Sequence, residues 1–407
     1  MHNDIESPAP GTGKTTGSPA EVLGAFLKLG LTSFGGPVAH LGYFRSEFVE
    51  RRQWLDDRSY ADLVALCQFL PGPASSQVGM ALGLGRAGWW GALAAWLGFT
   101  LPSAIALILF AYGVAHWAGL AQSGIVHGLK VVAAAVVAQA LWGMAKSLCP
   151  DHLRGGIAIG AALLVLGLPS AFAQVLAIAL GGLLGWRLLA LPQSPPAEHR
   201  QYGVSRTTGT VLLALFVALL LGLPALAALS GSMSLSAVAA IYQAGSLVFG
   251  GGHVVLPLLQ ASVVPPGWLS NDTFLAGYGA AQAVPGPLFT FAAFLGAAMP
   301  APLGGWIGGM VLLLAIFLPS FLLVAGALPH WESLRRRPGI QQAMGGINAA
   351  VVGVLGAALY DPVWTSAILS KADFALALSA YGLLVFGKVS PVFVVAFAAI
   401  AGGALAY

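Results

Sequence analysis

The chain has 407 residues, 58% of them hydrophobic and only 8% charged, and 18 Lys and Arg against 14 Asp and Glu leave a formal charge of +4 at pH 7. A water-soluble domain carries roughly a quarter charged residues, so these are too few to cover a wetted globule. Apolar runs of about 17–25 residues, the length that spans a bilayer, instead predict an all-α polytopic membrane protein. The 54 glycines and 25 prolines suit membrane helices that pack closely or break.

Residues 1–19 are a polar tail, expected to be disordered and without the apolar stretch of a cleavable signal peptide. Gly11-Thr12-Gly13-Lys14-Thr15 touches a phosphate-loop pattern, but Pro8 occupies the place of its first glycine. No strand precedes it, which removes a nucleotide-binding reading.

A first repeat is predicted over residues 20–190. It opens with an apolar helix carrying Lys28 and runs into Phe34-Gly35-Gly36-Pro37. Phe44–Arg58 mixes Phe44, Phe48, Trp54 and Leu55 with four arginines and four acids. It reads as an amphipathic helix on the cytoplasmic membrane surface, and its balanced charge argues against nucleic acid. Gln68-Phe69-Leu70-Pro71-Gly72-Pro73 follows, then Leu101-Pro102-Ser103 and an Ala/Val-rich helix that starts near Gly128 and carries Lys130. Cys67 and Cys149 sit in apolar surroundings at no motif spacing and read as small buried residues.

Residues 191–234 hold a polar linker, Pro192–Arg206, and one extra apolar segment, about Thr207–Leu229. The second repeat, 235–407, then replays the first. Phe249-Gly250-Gly251-Gly252, Trp268-Leu269, Gln282-Ala283-Val284-Pro285-Gly286-Pro287, Leu318-Pro319-Ser320 and Gly345 follow in the same order, each 214 to 217 residues after its counterpart. Five matches at so steady an offset mark an internal duplication.

Cytoplasmic loops collect Lys and Arg, and this orients the halves. Let the Phe-Gly-Gly and Pro-Gly-Pro segments be broken, re-entrant pairs and the N-terminus cytoplasmic. Then Arg45, Arg51, Arg52, Arg58, Arg86, Lys146, Arg154, Arg187, Arg200 and Arg206 all face inside. The extra segment crosses outward, so the second half starts from the opposite side. Arg335, Arg336, Arg337 and Lys388 return inside, and only Lys371 falls in an outside loop. The prediction is an inverted repeat, which gives secondary transporters two pseudo-equivalent conformations.

Pro-Gly-Pro cannot lie inside an intact helix, and broken backbone at membrane depth is tolerated where it is buried in protein or lines a cavity. New half-helices, predicted from about Ala74 and Leu288, would turn free N–H groups and the positive dipole end toward an anion. Candidate binding residues are therefore Gly35, Gly36, Gln68, Pro71, Gly72, Pro73, Ser75, Ser76 and Gln77 in the first half. Their counterparts are Gly250, Gly251, Gly252, His253, Gln282, Pro285, Gly286, Pro287 and Thr290. His253 and Asp62 are the candidate proton carriers. Plain structural kinks are the bland alternative, which four matched breaks argue against. Arg86 reads as an interface anchor, and no cofactor, metal site or catalytic constellation is expected.

Phe26–Pro37, Glu47-Phe48-Val49, Trp54-Leu55 and Gln68–Gln77 resemble the N-terminal half of the chromate transporter family. Phe249–His253 and Val284–Pro287 resemble its C-terminal half, so the resemblance spans most of the chain beyond the tail. It implies a bacterial inner-membrane protein of the long, two-domain type that exports chromate in exchange for protons, with sulfate as structural analogue. Gly252 stands where the first half has Pro37, and Thr290 replaces the serine pair, so the halves are expected to contribute unequally. The alternatives are a sulfate or oxyanion importer or channel, a membrane-embedded enzyme, and a structural scaffold. Expected partners are a chromate- or sulfate-like oxyanion, protons and the lipid bilayer, with no nucleic acid; a homodimer is an assembly this reading leaves open.

Overall fold

The computed structural model describes residues 17–33, 36–116, 124–168, 171–190, 202–248, 255–331 and 337–404. The first repeat runs α1 (Pro19–Thr32), α2 (Gly36–Arg45), a π-helical turn Ser46–Arg51, α3 (Asp57–Phe69), α4 (Ala74–His116), α5 (Gly124–Leu148), α6 (His152–Gly167) and α7 (Ala171–Leu188). After α8 (Arg206–Ser230), the second runs α9 (Met233–Ser246), α10 (Val255–Val263), α11 (Asn271–Ala283), a 3-10 turn Leu288–Thr290, α12 (Phe291–Ala298), α13 (Gly305–Ala327), α14 (Pro338–Ala358), α15 (Lys371–Val385) and α16 (Pro391–Ala404). Among the described residues there is no strand, and five helices are long and apolar enough to cross a membrane.

The duplication extends to the helix starts. Ser18 caps α1 by accepting the Glu21 N–H at 3.1 Å, and Ser232 caps α9 by accepting that of Leu235 at 3.4 Å. Asp56 accepts the Ser59 N–H at 2.8 Å to open α3, as Ser270 accepts that of Thr273 at 3.1 Å to open α11. These caps occupy first-turn N–H groups that a helix leaves without partners. Close approach is also matched. Gly30 on α1 abuts the Gly98 carbonyl of α4, and Gly245 on α9 abuts the Ile316 carbonyl of α13, where any side chain would collide. Small residues let membrane helices pack this tightly.

Helix α4 is two helices in line. At Ala87 (φ −141°) and Gly88 (φ 65°) the backbone leaves the helix, separating a short arm after Pro73 from a long arm that ends at His116. The short arm corresponds to α12 and the long arm to α13.

Ion pairs show which ends share a face. Glu21 at the start of α1 lies 3.1 Å from Arg86, at the end of the short arm, and 3.8 Å from Arg52. Arg45 at the end of α2 lies 2.8 Å from Asp57 at the start of α3. Thus α1 with α2, and α3 with the short arm, each leave and return to one face. The long arm leads away from it by about 40 Å at 1.5 Å per residue. At its far end Tyr112 packs on Trp306 of α13, with ring centroids 6.5 Å apart. Also on that side, Lys130 of α5 reaches Asp272 at the start of α11 at 2.9 Å. The α11–α12 pair therefore opens on the opposite face, and the repeats are inverted.

The stretch Phe44–Arg58 is not the single amphipathic helix expected. It passes from α2 through the π-helical turn into extended chain, with Gln53 at φ 51°, because Asp56 must leave the helix to cap α3. Its apolar side is buried rather than laid on a membrane. Phe48 stacks on Trp54 at 4.5 Å and on Phe26 of α1 at 4.8 Å. Arg52 and Arg86 lie over the Trp54 ring at 5.7 and 5.3 Å. Buried Glu47 gathers Arg52 at 2.7 Å, Arg51 at 2.9 Å and Lys28 at 3.7 Å. Burial opposes its ionisation, but the Arg52 and Arg51 hydrogen bonds and the Lys28 charge outweigh it and hold the carboxyl below its ordinary range. Cys67 is fully buried and Cys149 half-buried, both as free thiols. The extra segment α8 has only 6% of its most apolar stretch buried, which suits lipid contact and no aqueous surface.

Candidate functional site

Both Pro-Gly-Pro segments are helix breaks. α3 stops at Phe69 and α4 starts at Ala74; α11 stops at Ala283 and the 3-10 turn starts at Leu288. Gly72 and Gly286 hold φ values of 119° and 99°, which side-chain-bearing residues rarely adopt. Gly72 donates its N–H to the Val248 carbonyl at 2.7 Å, and Gly286 donates its own to the Ser33 carbonyl at 2.9 Å. Val248 and Ser33 are the residues just before the two Phe-Gly-Gly segments. Each Pro-Gly-Pro break is thus tied to the Phe-Gly-Gly region of the other repeat, the reciprocity of a two-fold relation. The repeated Leu-Pro-Ser segments close in from the same directions. A Cβ on Gly72 would lie 2.6 Å from Ser320 Oγ, and one on Gly286 would lie 3.1 Å from Ser103 Oγ.

Polar atoms without hydrogen-bond partners among the described residues gather here. They include Ser33 Oγ, Ser76 Oγ, Gln77 Oε1, Thr100 Oγ1, Gln282 Nε2 and Ser320 Oγ, all buried. An unsatisfied buried polar group costs about 1–3 kcal/mol, and such groups call for an explanation. Completion by a ligand is one that suits their clustering. The breaks are unequal, as the serine-to-threonine departure implied. In the first, Ser75 lies 3.4 Å from His40 Nδ1 and Gln77 Nε2 donates to the Pro71 carbonyl at 2.7 Å. In the second, Thr290 donates its hydroxyl to the Pro287 carbonyl at 2.7 Å, while Phe289 and Phe291 stand at the places of Ser75 and Gln77.

Of the expected site residues, Pro71, Gly72, Pro73, Ser75, Ser76 and Gln77 form the first break, and Pro285, Gly286, Pro287 and Thr290 the second. Gly36 opens α2 at φ 78°. Gln68 is exposed one turn before the first break, whereas Gln282 is half-buried before the second. Asp62 is half-buried on α3, about 10 Å of helix before its end. Gly35, Gly250, Gly251, Gly252 and His253 lie outside the described residues. The Gly72 and Gly286 N–H groups are consumed by protein carbonyls. The donors left for an anion are hydroxyls and the first-turn N–H groups of α4. Sequence reasoning passed over Ser33, His40, Thr100 and Ser320. Ser320 was detectable, since Ser103 matches it in the repeat. His40 and Thr100 align with Val255 and Phe317, so repeat matching could not raise them. Among the described residues no group of three or more His, Cys, Asp or Glu could hold a metal ion.

The sequence profile of the chromate transporter family matches residues 20–186 and again 235–403. The chain belongs to the chromate transporter family. It is 30% identical to a chromate transport protein of Pseudomonas aeruginosa, over 84% of this chain and 80% of that one. A chromate transport protein of Cupriavidus metallidurans is 29% identical over 93% and 90%, and a probable chromate transport protein of Synechococcus elongatus 28% identical over 82% of each. No solved structure matches. In this chromate transporter family member, each of the two profile matches contains one Phe-Gly-Gly and one Pro-Gly-Pro segment, so the reciprocal ties join one match to the other.

Proposed function

We propose that the chain is a secondary transporter that exports chromate, or a closely related tetrahedral oxyanion, across the bacterial inner membrane with protons as coupling ion. The observation that carries this is the reciprocal tie between breaks, Gly72 to Val248 and Gly286 to Ser33, ringed by buried hydroxyls that lack partners. Hydroxyl donors and a half-helix N-terminus hold a dianion without a fixed countercharge, which leaves it able to depart. The names of the relatives supply chromate as the first substrate to test.

The geometry supports alternating access. With 14 and 13 residues, α1 and α3 are too short to span a bilayer, and each is followed by a helix returning to its own face. We read these pairs as re-entrant from the cytoplasm, because Arg45, Arg51, Arg52 and Arg86 crowd that face. The N-terminus is then cytoplasmic, with 20–190 and 235–407 as the two inverted repeats. Export is the downhill direction for a dianion in a cell that is negative inside, by about 4.6 kcal/mol per 100 mV for two charges.

Uptake of labelled chromate into everted membrane vesicles, under proton gradients of either sign, tests the proposal. Gradient-dependent accumulation beyond that of control vesicles supports it. Failure to accumulate, in vesicles shown to hold inserted protein, overturns it. Competition by sulfate ranks the two anions.

A further inference from the structure

His40 was not singled out by any sequence motif, yet it stands where the two breaks meet. It lies on α2 with 1% of its surface exposed. Its Nδ1 is 3.4 Å from Ser75 Oγ, on the first turn of α4 after the first break. The same ring is within hydrogen-bonding reach of the Ser33 backbone, whose carbonyl holds the Gly286 N–H of the second break. Its edge meets Phe99 at 5.2 Å, and the Phe99 carbonyl borders Gly286 as well. One imidazole therefore touches groups belonging to both breaks.

The charged groups on the elements packed against α2 are engaged elsewhere. In the π-helical turn Glu47 holds Arg51, and Glu50 holds Arg45. On α3, Asp57 also holds Arg45, Arg58 and Asp62 have interactions of their own, and Tyr60 donates to the Leu41 carbonyl at 2.6 Å. Cys67 of α3 is a buried thiol, and Arg86 of α4 is paired with Glu21.

We propose that His40 is the conditional cation of the anion site, neutral while the site is empty and protonated as the oxyanion binds beside Ser75. The proton comes from water on the side where the anion enters and returns to water when the anion leaves, so it travels with the anion and is distinct from the coupling protons that cross the other way. This rests on the oxyanion reading above. An imidazolium enclosed away from water is stable beside a negative charge and costly without one. Linkage is reciprocal, so acid must strengthen anion binding as much as the anion strengthens proton binding.

The test is equilibrium binding of labelled chromate to the purified full chain, wild type against His40→Gln and His40→Asn, which keep a hydrogen-bonding side chain but cannot charge. Chromate takes up a proton itself, so the readout is the wild-type to variant affinity ratio at each pH, in which the anion's own titration cancels. The ratio should lie near one at about pH 8 and rise about tenfold by about pH 6, within the limit of tenfold per pH unit for one linked proton. A ratio that stays constant over that range overturns the inference alone. No chromate binding by the wild type at any pH overturns the oxyanion reading and this inference with it. Calorimetry of the wild type in two buffers of different ionisation enthalpy needs no variant: proton uptake on binding at about pH 7.5 is expected, and its absence overturns the inference.

Discussion

Gly72→Ala isolates the break itself. At φ 119° an alanine is strained by roughly 1–2 kcal/mol. Its Cβ would sit 2.6 Å from Ser320 Oγ and 2.7 Å from Gln77 Nε2, closer than real Cβ contacts allow. Relief requires Gln77 to let go of the Pro71 carbonyl, or Gly72 to draw back from the Val248 carbonyl, either costing about 1 kcal/mol. The total of about 2–3 kcal/mol is below a typical domain stability of about 5–15 kcal/mol, so the protein should still insert. Concentrated in the transport-competent arrangement, it corresponds to a loss of roughly 30- to 150-fold. The control is Gly88→Ala at the bend of α4, where φ is 65° but nothing lies within 4 Å of the new Cβ. It bears comparable strain without a collision and away from the breaks, and should transport near the wild-type rate. Initial rates of chromate uptake in everted vesicles, normalised to inserted protein, decide the matter. If Gly72→Ala transports as fast as Gly88→Ala, the reasoning is refuted.

Ser76→Ala should weaken chromate binding about fivefold while leaving the melting temperature unchanged or raised, since the lost hydroxyl has no partner to abandon. Thr290→Val removes a satisfied bond to the Pro287 carbonyl, so it should lower stability by about 1 kcal/mol with little change in affinity; a reversed pattern counts against the first break as the polar one. Lys130 is buried and its partner Asp272 mostly exposed, so Asp272→Asn should destabilise by about 1–2 kcal/mol and Lys130→Met by less. Thermal scanning in detergent would detect the opposite order. Glu47 is held below its ordinary value of 4.5, so its stabilising contribution is present above that pH and is lost as pH falls through the lowered value. The melting temperature of the wild type should therefore drop more steeply on acidification than that of Glu47→Gln, and parallel curves would remove Glu47 as the cause.

Much of the architecture was legible because it rests on local chemistry that is written twice. Pro71-Gly72-Pro73 and Pro285-Gly286-Pro287 cannot continue a helix in any context, so the breaks and the half-helix starts at Ala74 and Leu288 followed from residue type alone. The internal offset then paired them. The Phe44–Arg58 stretch was misjudged because amphipathic periodicity does not say whether the apolar side meets lipid or protein. Phe26 and Phe99, which decide it, come from distant parts of the chain.

The candidate site divides the same way. Composition and repeats alone determined a duplicated helical membrane protein with a Pro-Gly-Pro interruption in each half, since hydrophobic length and proline geometry act within a few residues of each position. Which interruption meets which was decided only in three dimensions. Gly72 bonds Val248 and Gly286 bonds Ser33 across a gap of more than a hundred residues, a choice no local preference encodes. That crossing consumes the Gly72 and Gly286 N–H groups, leaves the hydroxyls of Ser33, Ser76, Thr100 and Ser320 without partners, and sets His40 between the breaks. A lone histidine in an apolar stretch carries no signal until packing shows which backbone and which serine it faces.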